Sequence, residues 1–159
     1  MIPSVELRPV EGDREAFLPL LLEADESKEM VRTYLHEGEL LGVYADGTLA
    51  GEMLVIPEDD ALEIRNFALA EEQRRRGIGR RAIDLLAERA ATEGVGRLLV
   101  GTADVAVETH LFYLKCGFRY TGVRRGFFER YPEPVLFDGM VVRDMVLFDR
   151  TTGGPDVSP

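Results

Sequence analysis

The stretch Arg74-Arg75-Arg76-Gly77-Ile78-Gly79 stands where a strand pattern gives way to a helix pattern. Before it, residues 61–70 alternate apolar and polar side chains, as a half-buried strand does. After it, residues 77–93 carry apolar side chains at helical spacing, and residues 97–101 read as a buried strand. A strand, a helix and a strand in this order predict two parallel strands joined by a crossover. Residues 74–79 are then the strand-to-helix turn of that crossover.

The composition of this turn is typical of an anion-binding site. Glycines at a helix N-terminus let a bulky anion approach the backbone, where free N–H groups and the helix dipole favour negative charge. The three arginines add further donors. The residues also leave a simpler interpretation open, in which the turn is a solvated basic loop and the glycines only redirect the chain.

A second interpretation uses the same letters, because Gly77-Ile78-Gly79-Arg80-Arg81-Ala82 fits the dinucleotide-binding pattern G-x-G-x-x-G/A. That pattern is weak alone and requires an acidic residue at the end of the next strand. The next strand ends in Gly101-Thr102-Ala103, and Asp104 arrives slightly late. The strands predicted upstream of the turn form an antiparallel meander, which also opposes a dinucleotide fold.

The residues before the turn predict two short helices and the strands of that meander. Asp46-Gly47 between two apolar runs is a strong hairpin signal. Asp13 and Ser27 are expected to cap helices, and Pro19 is expected to interrupt or bend the first of them. The predicted elements are strand 5–10, a helix after Asp13, a second helix from Ser27 to near Gly38, and strands 40–45, 49–56 and 61–70.

The residues after the crossover predict a helix over 107–115 and strands over 118–123 and 140–148. Between these strands, Tyr131-Pro132-Glu133-Pro134 is expected to be a loop in a pocket wall. We expect one domain over residues 1–150 and a flexible C-terminal tail over 151–159.

Charge is distributed unevenly along the chain, whose net charge is -10. Residues 1–63 are strongly acidic, whereas residues 64–131 carry an excess of bases that suits a phosphate-bearing ligand. The acidic part repels nucleic acid and favours a cationic partner, and the acids at residues 23–29 and 58–60 are candidates for attracting one. Acids that only keep the surface soluble are the alternative.

The sequence contains no basic leader followed by an apolar run and no apolar stretch of membrane-spanning length, so we expect no membrane association. A single cysteine, Cys116, suits a reducing compartment, and we expect a cytoplasmic protein. His36 and His110 are isolated, so we expect no metal site.

Two motifs together resemble a known family. Arg74, Gly77 and Gly79 match the Arg/Gln-x-x-Gly-x-Gly/Ala pattern of the GNAT superfamily of N-acetyltransferases, and Phe112-Tyr113-Leu114-Lys115-Cys116-Gly117-Phe118 matches its second pattern. The resemblance is concentrated in residues 63–128, and the element order agrees along nearly the whole chain. The stretch from Gly126-Phe127-Phe128 to Arg143-Asp144-Met145 resembles small bacterial members of poorly defined substrate. The implied fold is the α/β (α+β) GNAT fold, a mixed central sheet of about seven strands with helices on both faces.

The resemblance implies acetyl-CoA as co-substrate. Backbone N–H groups of residues 75–80 are expected to hold its pyrophosphate, and the strand at Phe67 is expected to pair with its pantetheine arm. Ala106 stands where many members carry an asparagine, and Asp104 is expected to replace it. The predicted cofactor-binding residues are Phe67, Ala68, Leu69, Arg74, Arg75, Arg76, Gly77, Ile78, Gly79, Arg80, Asp104 and Tyr113.

The resemblance also implies two catalytic residues. Tyr113 matches the family tyrosine that donates a proton to the leaving thiolate, although the same ring can serve only for packing. Glu63 matches the general base of histone-acetylating members and would act through a water. An ordinary strand-edge acid is the alternative for Glu63, and Glu52 and Glu108 are weaker candidates for the base.

The predicted function is therefore transfer of an acetyl group from acetyl-CoA to a primary amine of a small, cationic acceptor by direct attack. The alternatives are acetylation of a protein N-terminus or lysine, a non-catalytic acyl-CoA sensor, and a nicotinamide oxidoreductase. We expect a monomer or homodimer that binds neither nucleic acid nor membranes.

Overall fold

In the computed structural model, which describes residues 2–153, a seven-stranded mixed sheet lies between two layers of helices. A separate two-stranded hairpin lies outside this sheet. The strands are β1 Val5–Pro9, β2 Glu39–Ala45, β3 Thr48–Glu58, β4 Ala61–Leu69, β5 Arg97–Ala103, β6 Arg119–Arg124, β7 Leu136–Phe137, β8 Met140–Val141 and β9 Met145–Thr151. The helices are α1 Leu18–Ala24, α2 Lys28–Tyr34, α3 Ile78–Thr92 and α4 Val107–Lys115.

The sheet order is β1-β2-β3-β4-β5-β9-β6, and only β4 and β5 run parallel. This arrangement confirms the predicted mixed sheet, with its antiparallel meander followed by a parallel crossover through α3. It excludes the dinucleotide fold, which needs a sheet built mainly of parallel strands.

The two faces of the sheet are covered by different helices. The core on one face joins sheet residues such as Met53 and Phe148 to Ile83 and Leu86 of α3. The core on the other face packs Leu21 of α1 and residues of α2 against the sheet. The predicted placement of helices on both faces is confirmed.

Local sequence signals explain most of the element boundaries. Asp13 and Ser27 cap their helices through side-chain oxygens, as predicted. Pro19 lies in the first turn of α1, where its missing N–H does no harm, and the preceding turn is a 3-10 helix. Asp46 and Gly47 both have positive φ, as the predicted hairpin turn requires.

The predicted strand over residues 140–148 is wrong. Asp138 and Gly139 have positive φ and reverse the chain, so Met140–Val141 pairs with Leu136–Phe137 in a separate hairpin. The last strand of the sheet begins only at Met145. Residues 140–148 are apolar except for Arg143-Asp144, and this polar pair lies in the break between the two strands.

The C-terminal boundary lies beyond residue 150. Thr151 ends β9, and the Thr152 amide and hydroxyl donate hydrogen bonds to the carbonyls of Gly96 and Val95 at 3.1 and 2.7 Å. The predicted tail overlaps the fold at these two residues, and its residues 154–159 lie outside the described residues.

Candidate active site

The two parallel strands are paired along only part of their length. Ala61–Ile64 of β4 pairs with Arg97–Val100 of β5, and no further β4–β5 pair forms within the described residues. At the same level, β4 has a bulge against β3, with Arg65 as the extra residue. Because a bulge increases local twist, β4 turns away from β5 beyond it. A cavity of about 510 Å³ occupies the resulting opening.

Three of the predicted cofactor residues lie along one wall of this cavity. Phe67, Ala68 and Leu69 line it on the part of β4 that β5 leaves unpaired. A strand in this situation has backbone groups available for an extended ligand, as in recognition by strand addition. On the opposite wall, Thr102 of β5 is 7% exposed, and its hydroxyl has no hydrogen-bond partner among the described residues. The opening therefore offers polar groups to a ligand on both sides.

The basic turn lies at the end of β4 and leads into α3. Arg74 lines the cavity, and its side chain bonds to the Leu69 carbonyl at 3.1 Å and to Glu23 at 3.3 Å. Arg75 and Gly77 both have positive φ. The N–H of Arg81 makes the first bond of α3, to the Gly77 carbonyl, so the preceding amides of the helix start are free of helical partners.

The remaining residues of the turn divide into an exposed and a buried group. Arg75, Arg76, Gly77 and Arg80 are exposed, whereas Ile78 and Gly79 are buried at the start of α3. A Cβ on Gly79 would lie 3.1 Å from a ring carbon of Phe112, so any other residue there would require the ring or α3 to shift by a few tenths of an ångström. This geometry gives the second glycine of the motif a packing role in addition to any approach of a ligand.

Tyr113 projects from α4 to the cavity wall and is 5% exposed. Its ring packs against Phe112 and Phe118 at centroid distances of 5.1 and 5.3 Å. Burial, followed by the neighbouring Cys116 and Glu52, raises the pKa of the Tyr113 phenol above its usual range. The phenol therefore keeps its proton at neutral pH and is a hydrogen-bond donor.

Glu63 lies in the closed part of the sheet, opposite Leu99, and is absent from the described lining of the cavity. The side chain is 2% exposed and lies 3.6 Å from Arg65 and 3.7 Å from Arg124. The structure thus places the predicted base beside two guanidinium groups and away from solvent. Any contact with a substrate in the cavity would have to run through a water.

Glu52 is a second buried carboxyl, on β3 directly opposite Ala68. The side chain is fully buried, and neither carboxyl oxygen has a hydrogen-bond partner among the described residues. Burial raises the pKa of Glu52 to about 8, although the nearby Ala68 amide acts in the lowering direction. Glu108, the other weaker candidate, is exposed in the first turn of α4.

Asp104 is tied to the backbone of the segment before β9. Its amide donates to the Asp144 carbonyl at 3.0 Å, and its carboxylate accepts from the Asp144 amide at 3.1 Å. Neighbouring Ala103 and Ala106 line the cavity, whereas Asp104 is absent from the described lining. The observed contacts of Asp104 therefore join two segments of the chain.

A hydrogen-bonded group at the cavity has no signature in the sequence spacing. We call it the Asp25 cluster, and it consists of Asp25, Tyr34, Asn66 and Tyr131. The phenols of Tyr34 and Tyr131 donate to one oxygen of Asp25 at 2.9 and 3.0 Å. The Asn66 amide donates to Tyr34 at 3.0 Å. These residues come from the end of α1, from α2, from β4 and from the loop after β6, where Asp25 is the residue that follows α1, so no local pattern could have grouped them. Only the loop at Tyr131 was predicted, correctly, to line a pocket.

The acids flagged in the sequence lie at two separate places. Asp25 lines the cavity, together with Glu23 and Glu26. The turn Glu58–Asp60 connects β3 to β4 at the far end of β4 from Leu69, roughly 25 Å away at about 3.3 Å per residue. That turn therefore has no part in the cavity.

Among residues 2–153, no group of three or more His, Cys, Asp and Glu side chains is arranged to hold a metal ion. Within the same residues, no helix is long and apolar enough to cross a membrane.

Comparison with known proteins adds family-level information. The model of the acetyltransferase (GNAT) family matches residues 9–118. An uncharacterized N-acetyltransferase of Bacillus subtilis (strain 168) is 33% identical over 138 residues, which cover 86% of this chain and 89% of that protein.

Two solved structures share the fold and about a third of the residues. A GNAT family acetyltransferase from Elizabethkingia anophelis with acetyl-CoA bound has a TM-score of 0.83 and 32% identity, covering 91% of this chain and 96% of that one. A Bacillus subtilis acetyltransferase in complex with CoA has a TM-score of 0.80 and 30% identity, covering 92% and 97% of the two chains.

Proposed function

The chain belongs to the acetyltransferase (GNAT) family and uses acetyl-CoA, and from this premise we propose that it acetylates the primary amine of a small acceptor molecule. The observation that carries the proposal is the opening between β4 and β5, which holds a cavity of about 510 Å³ lined in part by Arg74 of the basic turn. A cavity of this size suits the end of an extended donor and a small acceptor together.

The residues of the opening fit acetyl-CoA. Amides of residues 75–80 face no helical partner at the start of α3 and would hold the pyrophosphate, with the exposed Arg75, Arg76 and Arg80 as additional donors. The unpaired edge at Phe67, Ala68 and Leu69 would hold the pantetheine arm. Asp104, in contrast, would act on the cofactor only by fixing the loop after β5.

When bound, acetyl-CoA supplies a thioester carbonyl that an amine can attack. In our proposal, backbone N–H groups near Leu69 polarise that carbonyl, since charge develops on its oxygen during attack. The Tyr113 phenol, which is protonated at neutral pH, donates a hydrogen bond to the departing sulfur. The amine must lose a proton before it attacks, and we assign that proton to Glu63 through a water.

Glu52 is the competing base, because a carboxyl with a pKa of about 8 exchanges protons near neutral pH. Like Glu63, Glu52 is separated from the cavity wall and would need a mediating group. The variants Glu63→Gln and Glu52→Gln separate the two assignments. Loss of the ascending limb of the pH–rate profile is expected in the variant that lacks the base, and only there.

The decisive experiment is a thiol-release assay with acetyl-CoA and a panel of small primary amines, with peptides bearing a free N-terminus or a lysine in parallel. We expect turnover with small amines. Turnover only with the peptides would establish a protein acetyltransferase instead. Binding of acetyl-CoA without release by any amine or peptide would establish an acyl-CoA sensor.

A further inference from the structure

Asn66 is held in one orientation by its surroundings. Its Nδ2 donates to the Leu21 carbonyl at 3.1 Å and to the Tyr34 hydroxyl at 3.0 Å. Since a carbonyl can only accept, the Nδ2 side of the amide must face Leu21, which fixes the assignment of the two amide atoms. Asn66 lines the cavity and is 4% exposed, and its Oδ1 has no hydrogen-bond partner among the described residues.

An unsatisfied buried acceptor of this kind costs free energy unless a ligand or water supplies a donor. Asn66 stands directly before Phe67, in the part of β4 that has left β5 and that we assign to the pantetheine arm. A second substrate that donates a hydrogen bond to Asn66 would therefore lie beside the bound acetyl-CoA.

Asp25 provides a fixed negative charge next to Asn66. One of its oxygens accepts from both phenols, and the other accepts from the Ser27 amide at 3.2 Å. Because Tyr131 reaches Asp25 from the loop after β6, this charge is held between two segments that are 106 residues apart. A carboxylate fixed in this way favours a single cationic group at the cavity wall.

The cavity as a whole is not acidic. The carboxylates of Glu23, Asp25 and Glu26 are matched by the guanidinium groups of Arg65, Arg74 and Arg130. Arg74 pairs with Glu23, and Arg65 and Arg130 stack on the rings of Tyr34 and Phe127 at 4.8 and 4.0 Å. Such a balance does not favour several positive charges on one acceptor.

The rest of this wall is aromatic. Phe127, Phe128 and Tyr131 line the cavity in mutual contact, with Phe128 and Tyr131 centroids 5.3 Å apart. Leu136 and Phe137 of the β7–β8 hairpin extend the same wall and are 58% and 46% exposed. This surface suits a flat apolar group, which gains free energy by leaving water.

We propose that the Asp25 cluster and the adjoining aromatic wall form the acceptor subsite, which takes a monoamine with a flat apolar body. The single ammonium group lies against Asn66 Oδ1 and Asp25, and the apolar body packs against Phe128 and Tyr131. This inference rests on the proposed function and narrows it, since it favours an arylalkylamine over a polyamine or an aminoglycoside.

The test uses 2-phenylethylamine and 1,4-diaminobutane as probes, because both carry a primary amine on a short chain and only the first has a ring. Binding of each probe to the CoA-loaded full chain is measured by calorimetry, and thiol release from acetyl-CoA is measured in parallel. We expect 2-phenylethylamine to bind at least tenfold more tightly than 1,4-diaminobutane. Asp25→Asn should weaken 2-phenylethylamine binding at least tenfold and raise its KM, with the KM for acetyl-CoA unchanged.

Asp60→Asn is the matched control, because it removes the same charge in the exposed turn at the far end of β4 and should change neither constant. Phe128→Leu keeps an apolar side chain but removes the ring. It should weaken the binding of 2-phenylethylamine and leave the binding of 1,4-diaminobutane unchanged. Tighter binding of 1,4-diaminobutane, or an Asp25→Asn variant that binds like its control, would overturn the inference even if amines are acetylated. If 2-phenylethylamine binds more tightly than 1,4-diaminobutane and its binding depends on Asp25, but no thiol is released, the result would support the subsite and reject the proposed acetylation of amines.

Discussion

At the scale of single residues, Glu52 is the side chain whose energetic state is most unusual. Neither oxygen of this fully buried carboxyl has a hydrogen-bond partner among the described residues, so burial favours its protonated form. Its pKa of about 8 lies far above the ordinary value of 4.5 for glutamate. The folded protein therefore retains a proton that the unfolded chain releases as the pH rises above 4.5.

This difference predicts a pH-dependent stability. Between pH 4.5 and about 8 the folded state binds more protons than the unfolded state, so rising pH lowers the free energy of unfolding. The slope from this one group is at most about 1.4 kcal/mol per pH unit. Glu52→Gln should remove that slope, and urea unfolding at pH 5 to 9 measures it. Glu11→Gln, at an exposed position, is the control, and parallel curves for wild type and Glu52→Gln would contradict the prediction.

Tyr113 carries a separate prediction about catalysis. Tyr113→Phe removes the hydroxyl and keeps the ring that packs against Phe112 and Phe118. We expect kcat to fall by roughly 10²-fold, in the lower range for loss of a general acid, while the KM for acetyl-CoA stays constant. Steady-state kinetics measure both constants. The control is Tyr120→Phe, because Tyr120 lies on β6 and is 58% exposed, and this variant should leave kcat and KM unchanged. An equal loss of kcat in the two variants would argue against the proposed role of Tyr113.

At the scale of secondary-structure elements, the contact between α3 and α4 depends on Gly79. A methyl group there would meet the Phe112 ring at 3.1 Å, so Gly79→Ala should push α3 away from α4 or displace the ring. Because the amides at the start of α3 would move with the helix, we expect weaker acetyl-CoA binding and a loss of roughly 1–3 kcal/mol in stability.

A double-mutant cycle checks this explanation. Phe112→Leu makes room beside residue 79, so the double variant should recover part of the lost stability and affinity, which chemical denaturation and calorimetry measure. Gly96→Ala is the control, because no atom lies within 4 Å of its added Cβ. Additive losses in the double variant would show that the Phe112 contact is not the cause.

Elements whose chemistry is local could be predicted from the sequence, and elements that depend on distant contacts could not. Asp46-Gly47 predicted a hairpin by itself, because both residues readily adopt the positive φ that a two-residue hairpin turn requires. Asp138-Gly139 carries the same signal, and the break after it coincides with the polar pair Arg143-Asp144, but the mostly apolar run of 140–148 predicts one strand. The bulge at Arg65 coincides with a slip in the apolar spacing of β4, which is two residues from Leu62 to Ile64 but three from Ile64 to Phe67. The spacing alone did not show that a cavity opens there.

The candidate site divides in the same way. The position of the turn at 74–79 between a strand and a helix could be predicted from local patterns, and anion binding by its backbone stays a prediction. The Asp25 cluster was missed because Asp25 and Tyr131 meet only after the whole sheet has formed. Glu63 was predicted as a base, and the structure shows its side chain 2% exposed beside Arg65 and Arg124, a burial that could not be read from spacing.

At the scale of the whole molecule, the proposed donor site joins β4, the turn and α3, while the proposed acceptor subsite joins α1, α2 and the loop after β6. A ligand that fills the opening between β4 and β5 replaces the pairing that the sheet lacks there, and should stabilise the fold as a unit. At a concentration of 100 times Kd, a ligand that binds only the folded state adds about 2.7 kcal/mol. For a domain of this size we expect acetyl-CoA to raise Tm by roughly 5–10 °C.

The same measurement discriminates between the two nucleotide interpretations of the glycine turn. NAD should leave Tm unchanged, because the sheet lacks the parallel strands that a dinucleotide fold requires. The acetyl-CoA shift should shrink as salt rises, since phosphate contacts by exposed arginines are screened. Thermal unfolding with acetyl-CoA, CoA or NAD at two salt concentrations provides the comparison. A shift with NAD equal to that with acetyl-CoA, or none with either CoA compound, would show that the turn does not select the donor as we infer.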